Sequence, residues 1–236
     1  TTDTFTNLVI YEEEIKYLNS KYLETDLVLQ NSISLGRVGK IGIGSSAIGM
    51  CTTASGQGSH AEGVSANATG DYSHAEGVMT TASGMTSHAE GSMTTASGNN
   101  SHAEGVSTKA IGDNSHAEGN GVKSSGISSH AEGDSTEASG YCSHAEGSGT
   151  TASGENQHVQ GKYNIKDTAN KYAHIVGNGA NEDTLSNAHT LDWEGNAWFA
   201  GDVQGSNLPY TISSKVLATV PASDINLDDD NITVNN

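Results

Sequence analysis

The chain has 236 residues, of which 33% are apolar and only 5% aromatic, with 29 glycines, two prolines and two cysteines. That composition excludes a conventional core of large side chains over most of the length, and the scarcity of proline excludes collagen. Twenty-eight acids against ten Lys and Arg give a net charge of −18, which repels phosphate backbones and anionic lipid, so nucleic-acid binding is not expected, and no stretch approaches the roughly 18 apolar residues of a membrane span, so membrane insertion is not expected either.

Residues 1–35 differ in composition from the rest of the chain. Leu8, Tyr11, Ile15, Leu18, Tyr22 and Leu29 fall on heptad-like spacing, with Thr25 in the weak slot. A short coiled coil is one expectation for this connector. The run is under four heptads, and extended structure fits equally well after Asp26, where Val28, Ile33 and Val38 appear.

Residues 36–165 are governed by a repeat. His60, His74, His88, His102, His116, His130 and His144 stand fourteen apart, each within Ser-His-Ala-Glu-Gly. His158 keeps the phase in a decayed copy, Gln157-His158-Val159-Gln160-Gly161. Glycine has half that period: every seventh residue from Gly42 to Gly161 is Gly, eighteen in a row. Two places before each from Ala47 to Ala152 lies Ala, with Ser124 the exception among sixteen. Seven is also the coiled-coil period, but a coiled coil needs two large apolar residues per heptad, and a Gly in every second turn would melt a helix. The strand reading works. Each heptad makes a short strand and a tight turn, with Gly at the turn for positive φ or close backbone approach. Two heptads make one coil of a β-solenoid.

Side chains alternate along a strand. With Ala61, Ala75 and Ala89 inward on one half and Ala68, Ala82 and Ala96 inward on the other, His60 and Glu62 point outward, as do Asn67 and Thr69. The same alternation places His74, Glu76, His88, Glu90, His102, Glu104, His116, Glu118, His130, Glu132, His144 and Glu146 on one outer face. Coils about 4.8 Å apart predict a rod about 40 Å long for roughly eight and a half coils. A roll filled by two alanines per coil buries little, so its outer faces are expected to associate with other chains. The uniform Ser-His-x-Glu face is the candidate interface. The other face reads Thr-x-Ser in Thr81/Ser83, Thr95/Ser97 and Thr151/Ser153 but drifts at Lys109/Ile111 and Glu137/Ser139, and is expected to be solvated.

Residues 166–236 are read as a C-terminal β cap and tail. His174 and His189 come at broken spacing, and Trp193, Trp198 and Phe199 bring back large side chains. His189–Trp193 and 197–203 around Glu194-Gly195-Asn196 predict a β-hairpin, expected to cap the roll and protect its edge. The tail carries Asp224 and Asp228–Asp230 without EF-hand spacing, and is expected to be solvated.

The unit Ala-x-Gly-x-x-Ser/Thr every seven residues resembles the head repeat of trimeric autotransporter adhesins, the YadA-like head. The Ser-His-Ala-Glu-Gly form is similar to fibre proteins of phages and prophages of Gram-positive bacteria. The segments 157–164, 172–179 and 187–193 resemble the sequence on the C-terminal side of such repeats in those proteins. The resemblance implies an all-β, left-handed parallel β-roll, homotrimeric, with His60/Glu62 and their equivalents where the adhesin heads carry aliphatic residues. It implies a structural or adhesive fibre component, acting by multivalent attachment to a bacterial surface receptor, in contact with other fibre or tail proteins, and located in a virion or outside the cell. The runner-up is a bacterial trimeric surface adhesin head.

Sharper readings compete with these. His and Glu are metal-ligand types, but the favoured reading is that His donates to Glu or Ser across a trimer interface, and no metal or cofactor is assigned. Seven equal His and Ser copies argue for architecture over a nucleophile, since a catalytic site is normally singular; no enzyme activity is expected. Regular Thr rows on a flat solenoid are an ice-binding pattern, here interrupted by Lys109, Lys123 and Glu137. Trp193 and Trp198 are candidate ligand contacts, with core packing favoured. Cys51 and Cys142 lie six and a half coils apart on opposite halves, too far to pair within one chain.

Overall fold

The computed structural model of the chain describes residues 42–201, together with the strands Ile33–Arg37, Ile225–Asp228 and Asn231–Val234 as backbone. The described residues are all β and turn, without helix. The heptads between Leu8 and Leu29, and the outcome for that connector, lie outside the described residues. Strand β1 (Ile33–Arg37) runs parallel to β2 (Ser46–Ala54), pairing Ile33 with Ser46 and Ser34 with Ala47, so solenoid pairing reaches back to Ile33.

From β2 onward the chain is a β-solenoid. Five-residue strands alternate with two-residue strands: β3 (His60–Val64) and β4 (Asn67–Ala68), β5 (His74–Val78) and β6 (Thr81–Ala82), β7 (His88–Ser92) and β8 (Thr95–Ala96), β9 (His102–Val106) and β10 (Lys109–Ala110). The series continues with β11 (His116–Asn120) and β12 (Lys123–Ser124), β13 (His130–Asp134) and β14 (Glu137–Ala138), β15 (His144–Ser148) and β16 (Thr151–Ala152), and ends at β17 (His158–Lys162). β2 spans both halves of its coil and pairs with β3 and β4; from β3 to β17 long strands pair with long and short with short, all parallel and fourteen residues out of step: His60 with His74, Ala61 with Ala75, Asn67 with Thr81. The two halves of a coil are therefore unequal, one a five-residue ribbon and the other little more than a corner.

The six alanines Ala61, Ala68, Ala75, Ala82, Ala89 and Ala96 are fully buried. The same alternation buries a second set. Ser59, Ser73, Ser87 and Ser101 line one side, and Ala66, Thr80, Thr94 and Thr108 the other. Each coil thus has four small inward side chains rather than two alanines. Most serines of this row satisfy their hydroxyls on the preceding turn, Ser59 Oγ donating to Gly56 O at 2.8 Å and Ser87 Oγ to Gly84 O at 2.7 Å, whereas Ser115 Oγ has no partner among the described residues. Ser124, the exception to the alanine rule, shares a 2.6 Å hydrogen bond with Ser129 Oγ, and Val122 beside it replaces the inward Thr of other coils.

The glycines have two separate causes. Gly63 sits inside β3 at φ +110°, and a Cβ there would lie 2.2 Å from Gly77 O. Gly98, in the other half, has no left-handed φ, yet a Cβ would lie 2.0 Å from Gly112 O. Close approach of successive coils is the shared requirement. The left-handed turn residue is instead two places further on, for example Ser65 at φ 56° and Asn100 at φ 55°. Its amide reaches back one coil, as in Ser65 N to Met50 O at 2.8 Å. Cys51 and Cys142 occupy this position at φ 59° and 50°, both free and exposed.

The C-terminal end of the roll is closed by amide side chains that stand in for the missing next coil. Asn164 Oδ1 accepts from Thr151 N at 2.7 Å and its Nδ2 donates to Thr151 O at 3.1 Å. Gln157 Oε1 accepts from Ser153 N and Gly154 N, while its Nε2 donates to Asp167 Oδ2 and Tyr172 O. Val159 and Ile175, both fully buried, take up the alanine register where the roll ends. Strand β18 (Tyr172–Asn178) pairs parallel with β17, β19 (Asn187–Asp192) antiparallel with β18, and β20 (Ala197–Phe199) antiparallel with β19. The expected hairpin forms, but it extends the long-strand sheet and does not itself cover the open end. Strands β21 (Ile225–Asp228) and β22 (Asn231–Val234) make a separate antiparallel pair.

Candidate functional site

The in-register long strands carry the repeat's outward residues in two columns, one of histidine and one of glutamate. From His74 to His158 successive imidazoles stack with centroids 4.7–4.9 Å apart and planes within 4–14°. His60 begins the column edge-on, at 4.9 Å and 63°. The column continues where the sequence spacing breaks: His158 meets His174 at 5.2 Å, His174 meets His189 at 5.5 Å, and His189 meets Phe199 at 4.6 Å. The two residues inserted between β17 and β18 lie in the connecting loop, so His158 still pairs with His174, while β19 runs antiparallel and sets His189 opposite Val176, diagonal to His174. Sequence spacing alone gives no sign that Phe199 terminates the histidine column.

Glutamates flank the imidazole Nε2 atoms. His102 Nε2 stands 3.4 Å from Glu90 Oε1 and 3.8 Å from Glu104 Oε2, one carboxylate from the preceding coil and one from its own. His74 and His88 each stand 3.8 Å from Glu76. His116 lies 3.8 Å from Glu118, His144 3.6 Å from Glu132, and His158 3.5 Å from Glu146. His60, next to the histidine-free first coil, alone hydrogen-bonds its glutamate, at 3.4 Å from Glu62, while its Nδ1 bonds Ser46 Oγ. The Nε2 atoms of His74, His88, His102, His116, His130, His144 and His158 are closed to solvent and have no hydrogen-bond partner among the described residues. Burial, then the like-charged neighbours His74 and His102, hold the pKa of His88 below 6.5, against smaller opposing pulls from Glu90 and Glu76. His130 is lowered by burial, His116 and His144, and His174 by burial, His158 and His189.

Beside the glutamates runs a shallow groove floored by exposed backbone. Gly49, Gly63, Gly77 and Gly91 form one stretch with Glu62, Glu76 and Glu90 along it. Gly119, Gly133 and Gly147 form another, with Glu104, Glu118, Glu132 and Glu146. Exposed Met50, Val78, Met79, Met93 and Val106 adjoin this face in the first coils. At the corresponding places further on stand Asn120, Asp134 and Ser148.

The opposite face is less regular. Thr81 and Thr95 are half-buried and Ser83 and Ser97 exposed, but Thr151 is buried. Lys123 and Glu137 interrupt the row with a 2.7 Å ion pair between coils. Trp193 and Trp198 are not packed in a core: they are 50% and 47% exposed, on and beside the terminal hairpin. No family model matches the chain, and no curated protein matches it.

Proposed function

We propose that this chain is a stiff segment of a homotrimeric attachment fibre, of the kind carried by a phage tail or a phage-like particle. In this reading three parallel solenoids pack their His/Glu faces against one another, and attachment to a bacterial surface gains strength from three copies presented together. The observation that carries the reading is the sameness of that face. Ser-His-Ala-Glu-Gly recurs in register at every level from β3 to β15, while every other outward row drifts. In a parallel trimer of solenoids each coil meets the same surroundings as the coil before it, so a packed face is held to one sequence at every level, and a solvated face is not. Two further facts support it. Between β3 and β16 the interior is filled by Ala, Ser and Thr with Val122 the largest side chain, so one solenoid buries little apolar surface by itself. Seven imidazole nitrogens are closed off without a hydrogen bond among the described residues, and buried polar atoms are normally paired.

Light scattering coupled to size exclusion tests the reading. The expected mass is three times 24.3 kDa. The double variant Glu90→Arg/Glu118→Arg, which places large cations at two levels of the proposed interface, should fall to the single-chain mass with its β circular-dichroism spectrum retained. A single-chain mass for the unaltered protein, or an undisturbed trimer of the double variant, overturns the interface.

A further inference from the structure

We propose that the histidine–glutamate ladder binds divalent transition-metal ions, Zn²⁺ foremost, as a row of sites with ligands from successive coils. Five groups place one nitrogen or carboxylate oxygen from each of three residues within 4.8 Å of one another: His60/Glu62/His74, Glu76/His88/Glu90, His102/Glu104/His116, Glu118/His130/Glu132 and Glu132/His144/Glu146. Four can be filled without sharing a residue, because only the last two have Glu132 in common.

Three observations carry this. The first is distance. The Nε2 to carboxylate separations run from 3.4 to 3.8 Å, beyond the about 2.7–3.2 Å of a good hydrogen bond, and only the His60–Glu62 pair at 3.4 Å has the alignment of a weak one. They fit the edge of a coordination tetrahedron, which is about 3.4 Å when metal–ligand bonds are about 2.0–2.1 Å. The second is the state of the nitrogens. The Nε2 atoms of His74 to His158 are shut from solvent and unpartnered, and a neutral imidazole nitrogen with a free lone pair is a metal ligand. The third is charge. In-register glutamates stack like charges from coil to coil, which destabilises a ladder unless something positive lies between them. A divalent ion answers all three at once. The donor set of imidazole with carboxylate suits Zn²⁺ and its neighbours, whereas Ca²⁺ takes six to eight oxygens.

Each group offers three ligands from one chain, so one position on each ion is left for water or for a group from another chain. The inference does not rest on the trimer, because every named ligand belongs to a single solenoid.

The test is uptake of Zn²⁺ by the untagged chain at pH 7.5, read by isothermal titration and by the metal content after dialysis, with Ca²⁺ as the comparison ion. Saturation near four zinc ions per chain is expected, with no comparable uptake of Ca²⁺. The variant His88→Gln/Glu132→Gln disables the second, fourth and fifth groups and should halve the zinc content. X-ray absorption on the zinc-loaded unaltered chain gives a reading independent of that variant's folding, and should show imidazole nitrogen around the metal. No zinc uptake by the unaltered chain, uptake unchanged in a folded double variant, equal uptake of Ca²⁺, or sulfur ligation from Cys51 or Cys142 overturns the proposal. Mass is measured on the same samples, so loss of the trimer and loss of the metal are separate results.

Discussion

Replacing Gly98 with Ala isolates the close approach of coils from backbone strain. Gly98 has no left-handed φ, so Ala meets no conformational penalty there, but its Cβ would lie 2.0 Å from Gly112 O and 2.4 Å from Gly112 C. Restoring a contact of 3.4 Å requires the two coils to part locally by about 1.4 Å. Three hydrogen bonds span that gap: Ser97 N to Ala110 O at 2.8 Å, Gly98 N to Ala110 O at 3.4 Å, and Asn99 N to Asp113 Oδ1 at 2.8 Å. Each contributes about 0.5–1.5 kcal/mol, so loss of all three costs about 1.5–4.5 kcal/mol. Gly121→Asn is the control. Gly121 does adopt φ +65°, but its nearest neighbour to a Cβ is Ser135 Oγ at 3.6 Å, and Asn tolerates the left-handed region, as Asn100 and Asn114 already do. Its cost should stay within about 0.5 kcal/mol. Urea unfolding followed by circular dichroism at fixed protein concentration separates the two. Equal midpoints for Gly98→Ala and the unaltered chain, or equal losses in both variants, would refute the close-approach account.

The interior, the cap and the ladder each give a further expected outcome. Thr80 Oγ1 is buried without a partner, and Val122 already fills the same position in another coil, so Thr80→Val should raise stability by about 1 kcal/mol. Thr136→Val loses a 3.1 Å bond to Glu132 O and should give no such gain; a lower melting temperature for Thr80→Val would count against this view of the core. Asn164→Ala removes the two bonds that terminate β16 together with one to Ile165 O, and should cost about 2–4 kcal/mol, with hydrogen exchange at Thr151 N rising first; unchanged protection there would exclude the capping role. For pH, His88 and His130 have folded pKa values held below 6.5 by burial and by their histidine neighbours, against Glu76 and Glu90 or Glu118 and Glu132, and His174 is lowered in the same way against Glu146. The unfolded chain takes up these protons first as pH falls, so their contribution is whole above pH 6.5 and is lost progressively below it. Melting temperature in chelator should be level from pH 8 to 7 and drop toward pH 5, and a rise on acidification would contradict the burial of these imidazoles.

The fold is legible because its period is written in glycine and alanine. A corner that brings Gly98 within reach of Gly112 accepts no side chain, and an interior as narrow as that around Ala61 and Ala68 accepts little beyond a methyl or hydroxyl. Ser59 and Thr80 are harder to place. Both types are common on surfaces, and only the alternation from Ala61 and Ala82, two residues on, points them inward. Composition points to the heptad glycine as the turn residue, while the positive φ outside the strands falls two places later, on Ser, Met, Asn, Tyr, Cys or Thr and on a second glycine at Gly58, Gly121 and Gly149. Those side chains have no common chemistry because they project away from the roll, and the backbone bond to the preceding coil enforces the strained φ. His174 and Phe199 join the aromatic column as strand partners of His158 and His189, and His189 meets His174 diagonally across an antiparallel pair, which counting along the chain cannot see once loops vary in length and the chain reverses. Trp193 and Trp198 are expected from their size to pack inward, but a sheet extended by β18 to β20 has no second layer over it among the described residues.

The matched register has a consequence for the gene. Each coil hands its successor the strand it received, so the joint between any two coils equals the joint between any others. Recombination that duplicates or excises one fourteen-residue unit changes the rod by about 4.8 Å and leaves both ends untouched. A slip of seven residues is rejected, because it would lay a five-residue strand on a two-residue one. Length is then inherited as an integer, and the distance between the two ends can drift between lineages without any new surface having to evolve.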